Sequence, residues 1–403
     1  MKILYVCHRF PYPPKRGGKI RPFNMIRHLT EQGHQVTVAS LVRSDEEAEE
    51  GRGLADHCHE YIMERVHDPL RTASMIRRLP TMGPSSMGYF HSRKLKARIT
   101  EKVADVGFDL IFVHCSSVAQ YVEDVGGVPK ILDFGDMDSQ KWLSYGQFKP
   151  FPLNLGYYLE GLKMQLAEVE LAKKFDTCTA TTRAELATLD GFNTGVRTGW
   201  FPNGVDANKF SPSDEPYDRD TVCFIGRMDY YPNQECMFDF TANVLPLIQR
   251  RRPGTKLLIV GADPSPAIQD LGKLPGVTVT GSVPQVQPYV TSAALTVAPL
   301  NIARGTQNKI LEALAMGVPT VCSTLAAGGV DCVPGEHILT ANRPEEYADA
   351  VLRLLNDESE RKRFAEAGRK RVLSHHDWGA SMKRLDKIID DTVEGYRRLG
   401  RTA

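Results

Sequence analysis

The sequence contains no apolar run approaching the ~18–20 residues that a bilayer-spanning helix requires, so no transmembrane segment is expected. Its start, MKILYVCHRF, reads directly as a strand and offers no small-residue cleavage site behind an apolar stretch, which argues against a secretory leader. Charge of one sign is also missing. Lys and Arg number 50 against 49 Asp and Glu, a net charge of +1, which gives no global attraction to nucleic acid. The 8 cysteines include no CxxC pair and no dense cluster, so neither a disulfide framework nor a zinc module is expected. His57-Cys58-His59 has no second ligand pair at finger spacing. No G-x-G-x-x-G follows a strand, and neither G-x-x-x-x-G-K-[ST] nor G-x-S-x-G occurs, which removes the main support for a dehydrogenase, a P-loop NTPase or an α/β-hydrolase. These absences point to a reducing compartment, the cytoplasm.

What is present is alternation. Over 403 residues, short apolar runs alternate with helical patterns, and a length prior of roughly 150 residues per domain suggests two or three units. Ile3–Cys7, Val36–Leu41, Leu110–His114, Ile131–Phe134 and Thr177–Thr181 read as strands in the first half. Val222–Gly226, Leu257–Gly261, Val277–Gly281, Leu295–Leu300 and Thr320–Ser323 repeat the pattern. Between the first two strands, Ile20, Phe23, Ile26 and Leu29 recur at helical spacing. Such alternation implies parallel sheets covered on both faces, hence an α/β protein of two doubly wound, Rossmann-like domains. The turn-rich WFPNGVDANKFSP places the join near Gly199–Pro212, giving domains over 1–200 and 206–375. Pro344–Asn356, Glu358–Ser374 and Trp378–Arg398 read as amphipathic helices.

Open parallel sheets bind ligands at the carboxyl ends of their strands. After the first strand, Gly17-Gly18 opens a helix with Lys19 and Arg21 behind it, a backbone able to approach an oxyanion closely. Later strand ends bring His114, Asp133 and Asp136. Asp133, ending an apolar strand, is either a structural cap or a site residue. Asp136-Met137-Asp138 has the D-x-D form that can hold a divalent metal, but Asp138 or Ser139 reads better as a helix N-cap, and no metal is expected. In the second half, Gly226 permits a tight strand exit. Arg227 then either offers a fork of donors to a diphosphate or pairs with Asp229 at the surface. Gly261 ends the next strand. Gly305–Asn308 opens a helix whose amides favour phosphate, and Glu312, about two turns further, is within reach of a ribose diol. Arg71–Lys102 holds eight basic residues against Glu101 alone. It is either a solvated face or, with Met75, Ile76 and Leu79, a surface for anionic lipid that would place the protein on the inner face of the membrane.

Taken in order, these motifs resemble glycosyltransferase family 4, the retaining nucleotide-sugar transferases of B-type fold. The resemblance runs through Gly17-Gly18-Lys19-Ile20-Arg21, Pro202–Asp206, Gly226-Arg227, Gly281–Pro284, Lys309–Val321 and Asp377-Trp378. Within that family, GRMDYYPN and LDFGDMDSQKW are similar to transferases of exosortase-associated exopolysaccharide loci. The resemblance implies that a helix at 378–400 returns to the first domain, and that Asn203 and Gly204 form a hinge for closure about both substrates. It implies a nucleotide-diphosphate sugar as co-substrate, a glycan or polyprenyl-linked acceptor, and catalysis without metal or cofactor. Arg227, Lys309, Glu312, Asp133 and His114 would be catalytic. Gly226, Gly261, Val283, Arg304, Gly305, Thr306, Gln307 and Asn308 would hold the donor, and Gly17, Gly18, Arg21 and Asp136 the acceptor. Two positions depart from the family pattern. Arg304 stands where a glutamate is usual and Asn233 where a lysine is frequent, with Lys309 positioned to replace the lost cation. An epimerase of the same fold and a catalytically silent nucleotide-sugar-binding subunit are the competing readings.

Overall fold

The computed structural model describes residues 1–15, 17–66 and 68–400. The chain divides into two compact units, Met1–Phe201 with Met382–Ala403, and Pro202–Ser381. Each is a doubly wound α/β unit around one wholly parallel sheet.

The strands are β1 Lys2–Cys7, β2 Gln35–Val42, β3 Glu60–Arg65, β4 Leu110–His114, β5 Lys130–Gly135, β6 Thr177–Ala180 and β7 Arg197–Trp200 in the first unit. They align as β3-β2-β1-β4-β5-β6-β7. The second unit holds β8 Asp218–Ile225, β9 Lys256–Val260, β10 Val277–Val279, β11 Ala293–Ala298, β12 Thr320–Cys322 and β13 Leu339–Thr340, aligned as β10-β9-β8-β11-β12-β13. The strand order reverses between β1 and β4 and again between β8 and β11. These are the switch points at which connections leave on opposite faces and open a crevice for ligand.

Central strands are buried on both faces. From Ile3 to Cys7 every residue has zero exposure, because helices cover the sheet on each side. The edge strands β3 and β7 are only half buried and carry charge, which is why their sequences lack an apolar run. The last helix, Trp378–Arg398, belongs to the first unit from Met382 onward. There Met382, Leu385, Ile389 and Val393 are buried, Thr392 Oγ1 meets Thr177 Oγ1 at 2.7 Å, and His28 Nε2 meets Asp386 at 2.8 Å. All 8 cysteines are free thiols, and Cys7, Cys178, Cys223 and Cys322 are buried as small apolar residues. No helix among the described residues is long and apolar enough to cross a membrane.

Candidate active site

In the first unit the carboxyl end of the sheet is built around a buried carboxylate. Asp133, on β5, has no exposed surface. Arg21 grips it with two bonds, Nε to Oδ2 at 2.9 Å and Nη2 to Oδ1 at 3.1 Å. Thr179 donates to Oδ1 at 2.9 Å, and His114 Nδ1 lies 2.8 Å from Oδ2. Burial alone would raise this carboxyl, but Arg21 and His114 hold it well below the usual carboxylate range. An ionised Asp133 accepts the Nδ1 proton of His114 and so sets the orientation of the ring. Arg21 also donates to Phe201 O at 3.0 Å and lies 3.8 Å over the Phe201 ring. Arg21 and Asp133 are therefore locked to one another.

Gly17 and Gly18 begin the helix Gly17–Glu31, and a Cβ at Gly18 would meet Arg9 and His8. His8 follows β1, its ring 5.7 Å from that of His114 and its buried Nδ1 without a partner. Burial and the neighbouring His114, Arg9 and Lys141 keep His8 neutral well below its ordinary range. With Cys115, held at φ 82, these two imidazoles form the one group among the described residues whose ligand atoms could share a metal ion. His8 and Arg9 line a cavity of 570 Å³ together with Lys19, Arg43, Arg71 and Tyr89.

Asp136 is exposed at the strand end, accepts from Thr181 Oγ1 at 3.0 Å, and has its pKa raised, chiefly by desolvation of the carboxylate. The N-cap reading of Asp138 and Ser139 is corrected. Met137 takes the cap position of the helix Asp138–Gln147 without a side-chain bond. The freed amides of Met137 and Ser139 are instead taken by Glu185 at 2.9 Å and Glu168 at 3.1 Å. Asp138 pairs with Lys141. The basic stretch Arg71–Lys102 is largely spent inside the unit. Arg71 is buried beneath Tyr89, Arg78 and Lys96 bond Gln120, Lys94 and Arg98 face Glu64, and Lys102 pairs with Glu60.

In the second unit, the ends of β8 and β9 touch. A Cβ at Gly261 would stand 1.7 Å from the Gly226 carbonyl oxygen, so only glycine fits there. Asn233 lies directly beyond Gly226. Its Nδ2 donates to Arg227 O at 2.8 Å and its Oδ1 accepts from Lys309 Nζ at 2.5 Å. The Lys309 ammonium also sits 4.4 Å from the Phe224 ring centre. Burial lowers its pKa to about 8, offset in part by Cys236 and Glu312. Glu312 is raised to about 7 by burial, against the pull of Lys209 and Lys309. It lies one turn into its helix, since that helix begins only at Asn308.

The Arg227 guanidinium pairs with Asp229 at 2.7 Å and with Asp263 at 2.5 Å, the surface pairing that the sequence left open. Gly305 adopts φ 59, and its carbonyl would stand 2.3 Å from a Cβ at Gly329. Gln307 Nε2 donates to Arg304 O at 3.0 Å and so braces the loop. Thr306 Oγ1 and Asn308 Oδ1 are buried without a hydrogen-bond partner. Val283 packs on the core of the unit after Gly281, which takes φ 71. Asn203 and Gly204 are pinned in the same unit. His376 Nδ1 lies 3.0 Å from Asn203 O, and a Cβ at Gly204 would run into Trp378.

Sequence reasoning missed His8, Asp263 and the cavity residues Arg43 and Tyr89. His8 was legible in principle, as the first residue beyond a fully buried strand at the switch point.

Comparison with solved structures gives the fold. Sucrose-phosphate synthase from Thermosynechococcus elongatus superposes with a TM-score of 0.70 at 16% identity over 99% of both chains. Anabaena HepE in complex with UDP and glucose gives 0.66 at 16% identity, over 97% of this chain and 99% of that one. TarM, a Staphylococcus aureus protein, gives 0.67 at 11% identity over 96% and 98%. The fold is thus the two-unit parallel architecture of B-type glycosyltransferases. None of the curated proteins matches the chain. Residues 219–357 match the family model described as Glycosyl transferases group 1, so the similarity to that family covers the segment carrying Gly226, Arg227, Asn233, Lys309 and Glu312.

Proposed function

We propose that the protein is a retaining glycosyltransferase. It would move a sugar from a nucleoside-diphosphate donor, held on the second unit, to a glycan or lipid-linked acceptor of envelope or exopolysaccharide assembly. The observation that carries this reading is Lys309. Its ammonium is fixed on Asn233 beside the Gly226 strand exit, one helix start away from two buried, unpartnered polar atoms on Thr306 and Asn308. A diphosphate seated there would meet a cation and the amides of 305–308, while Glu312 would accept from the ribose diol. Asn233, where a lysine is frequent, binds the relocated lysine from the opposite element, which supports the transfer of that charge to Lys309.

In the proposed reaction the bond between the anomeric carbon and the diphosphate oxygen breaks, and the acceptor oxygen bonds to the same face of the sugar. The acceptor proton passes to the departing phosphate oxygen. Lys309 and the loop amides stabilise the growing negative charge in place of a metal. Arg227 joins them by leaving Asp229 and Asp263 for the phosphate. In the first unit, His114 Nε2, set by Asp133, and the cavity bounded by Tyr89 and Arg43 would orient the acceptor.

The test is acceptor-dependent release of nucleoside diphosphate, beginning with UDP-sugars, with the anomeric configuration of the product read by NMR. Retention of configuration is expected. Conversion of donor alone to an epimer, or release that ignores every acceptor offered, would overturn the reading. Activity is expected to survive exhaustive chelation. Loss on chelation with recovery on adding a divalent ion would contradict metal independence and direct attention to His8, His114 and Cys115.

A further inference from the structure

The helix Leu153–Ala172 is apolar on two opposite sides. Gly161, Met164, Leu171 and Ala172 face the unit. The crossing with the helix Asp138–Gln147 is close enough that a Cβ on Gly146 would strike Tyr158 and one on Gly161 would strike Leu143. The opposite side carries Leu155, Leu159, Leu162 and Leu166, spaced four, three and four residues apart, each 54–56% exposed. A helix apolar all round is normally covered all round, and here one side is not.

The uncovered strip does not stand alone. The turn before the helix exposes Phe148 and Phe151 (78%), and the first helical residue, Leu153, is exposed beside them. Beside it stands the aromatic cluster of Trp142, Tyr145 and Tyr157. The segment 76–86 is tied alongside, through Lys163 Nζ to Leu79 O at 2.8 Å and through the amides of Ser85 and Ser86 to Glu160. It adds exposed Ile76, Leu79 and Met82. A contiguous apolar surface of this extent on a folded unit marks an interaction site.

Charge decides the partner. Across 76–83 and 148–166 the ionisable groups are Arg77, Arg78, Lys149, Lys163 and Glu160. The one acid is consumed by two backbone amides, whereas Arg77 is exposed beside Ile76 and Lys149 lies near the Tyr157 ring. The surface is therefore apolar at its centre, aromatic along one margin and cationic at its edge, with no unengaged carboxylate. That composition fits the boundary between lipid headgroups and acyl chains of an anionic bilayer. We propose that this face of the first unit docks on an anionic lipid surface, with the leucine side of Leu153–Ala172 and Phe151 entering the acyl boundary. This goes beyond the proposed glycosyl transfer and does not rest on it. It also moves any lipid contact away from the bulk of Arg71–Lys102, whose cations are engaged within the fold, to Ile76, Arg77 and Leu79 at one end of that stretch.

The experiment is co-sedimentation of the full-length protein with phosphatidylcholine vesicles, with and without phosphatidylglycerol, alongside light scattering in the absence of lipid. The wild type should sediment with the anionic vesicles and much less with the neutral ones. The triple variant Leu159→Ser/Leu162→Ser/Leu166→Ser should lose at least about tenfold in partitioning. Phe151→Ser, which lies in a turn and leaves the helix untouched, should lose severalfold, and Leu274→Ser, an exposed leucine of the second unit, nothing. Arg77→Glu/Lys149→Glu should abolish the preference for phosphatidylglycerol. The proposal fails if the wild type stays in the supernatant with both vesicles. It fails equally if the triple variant and Phe151→Ser bind as well as the wild type. A wild-type dimer that the triple variant converts to monomer would assign the face to a second copy of the chain instead.

Discussion

At Asp133 one carboxylate accepts four hydrogen bonds from three residues, and its energetics follow from that crowding. The side chains of Arg21, His114 and Thr179 converge on it inside a buried core, so removing the carboxylate leaves the Arg21 cation buried without its counter-ion. Asp133→Ala should cost about 3–5 kcal/mol in denaturant unfolding. An unchanged midpoint would contradict the assignment. Because its folded pKa is depressed, the stability it contributes is fully present above the unfolded carboxylate range and is lost as pH falls from that range down to the lower folded value. On the proposed reading, Lys309 and Glu312 would set the pH dependence of donor capture. Glu312, raised to about 7, must be ionised to accept from a diol, and Lys309, lowered to about 8, must be protonated to meet a diphosphate. The profile of kcat/KM for donor should therefore rise through about 7 and fall through about 8. Glu312→Gln should flatten the acid limb alone, and a limb that persists in that variant would assign it elsewhere.

Among the elements, the paired ends of β8 and β9 set the floor of the candidate donor site. Gly261→Ala would place a methyl inside the Gly226 carbonyl, forcing the two strand ends apart. A loss of more than about 2 kcal/mol in stability or a strong rise in donor KM is expected from thermal unfolding and kinetics. Wild-type values for both would contradict the close approach. At this scale the sequence was legible where burial is uniform and opaque where it is shared. Ile3–Cys7 and Leu295–Ala298 announce themselves as strands because helices on both faces leave no charged or exposed position. The strand Glu60–Arg65 does not, since an edge keeps its charges. Asp138-Ser139 imitates a helix cap, but Glu168 and Glu185, from two later helices, answer those amides, a pairing that no local pattern encodes. The Arg21–Asp133 clasp joins residues 112 positions apart and was visible only as two separate site candidates. The leucine side of Leu153–Ala172 escaped notice because a helix apolar on both sides has no amphipathic contrast to detect.

For the molecule as a whole, the chain passes between its two units twice, at Phe201–Pro202 and at Ser381–Met382. The second passage returns an amphipathic helix to the first unit, where Met382, Leu385, Ile389 and Val393 are buried. Truncation after Ser381 should strip the first unit of several kcal/mol of apolar burial, at roughly 1.5–3 kcal/mol per side chain, and yield aggregated or protease-sensitive protein. A stable, soluble truncation would show that the helix is dispensable to that unit. The account as a whole stands on the second unit as a receptor for a nucleoside diphosphate. Isothermal titration of the intact protein with uridine, guanosine, adenosine and thymidine diphosphates tests this most directly. The account predicts one diphosphate bound per chain, with affinity reduced at least about tenfold by Lys309→Ala and by Glu312→Gln. No heat with any of the four, or variants that bind as tightly as the wild type, would contradict it.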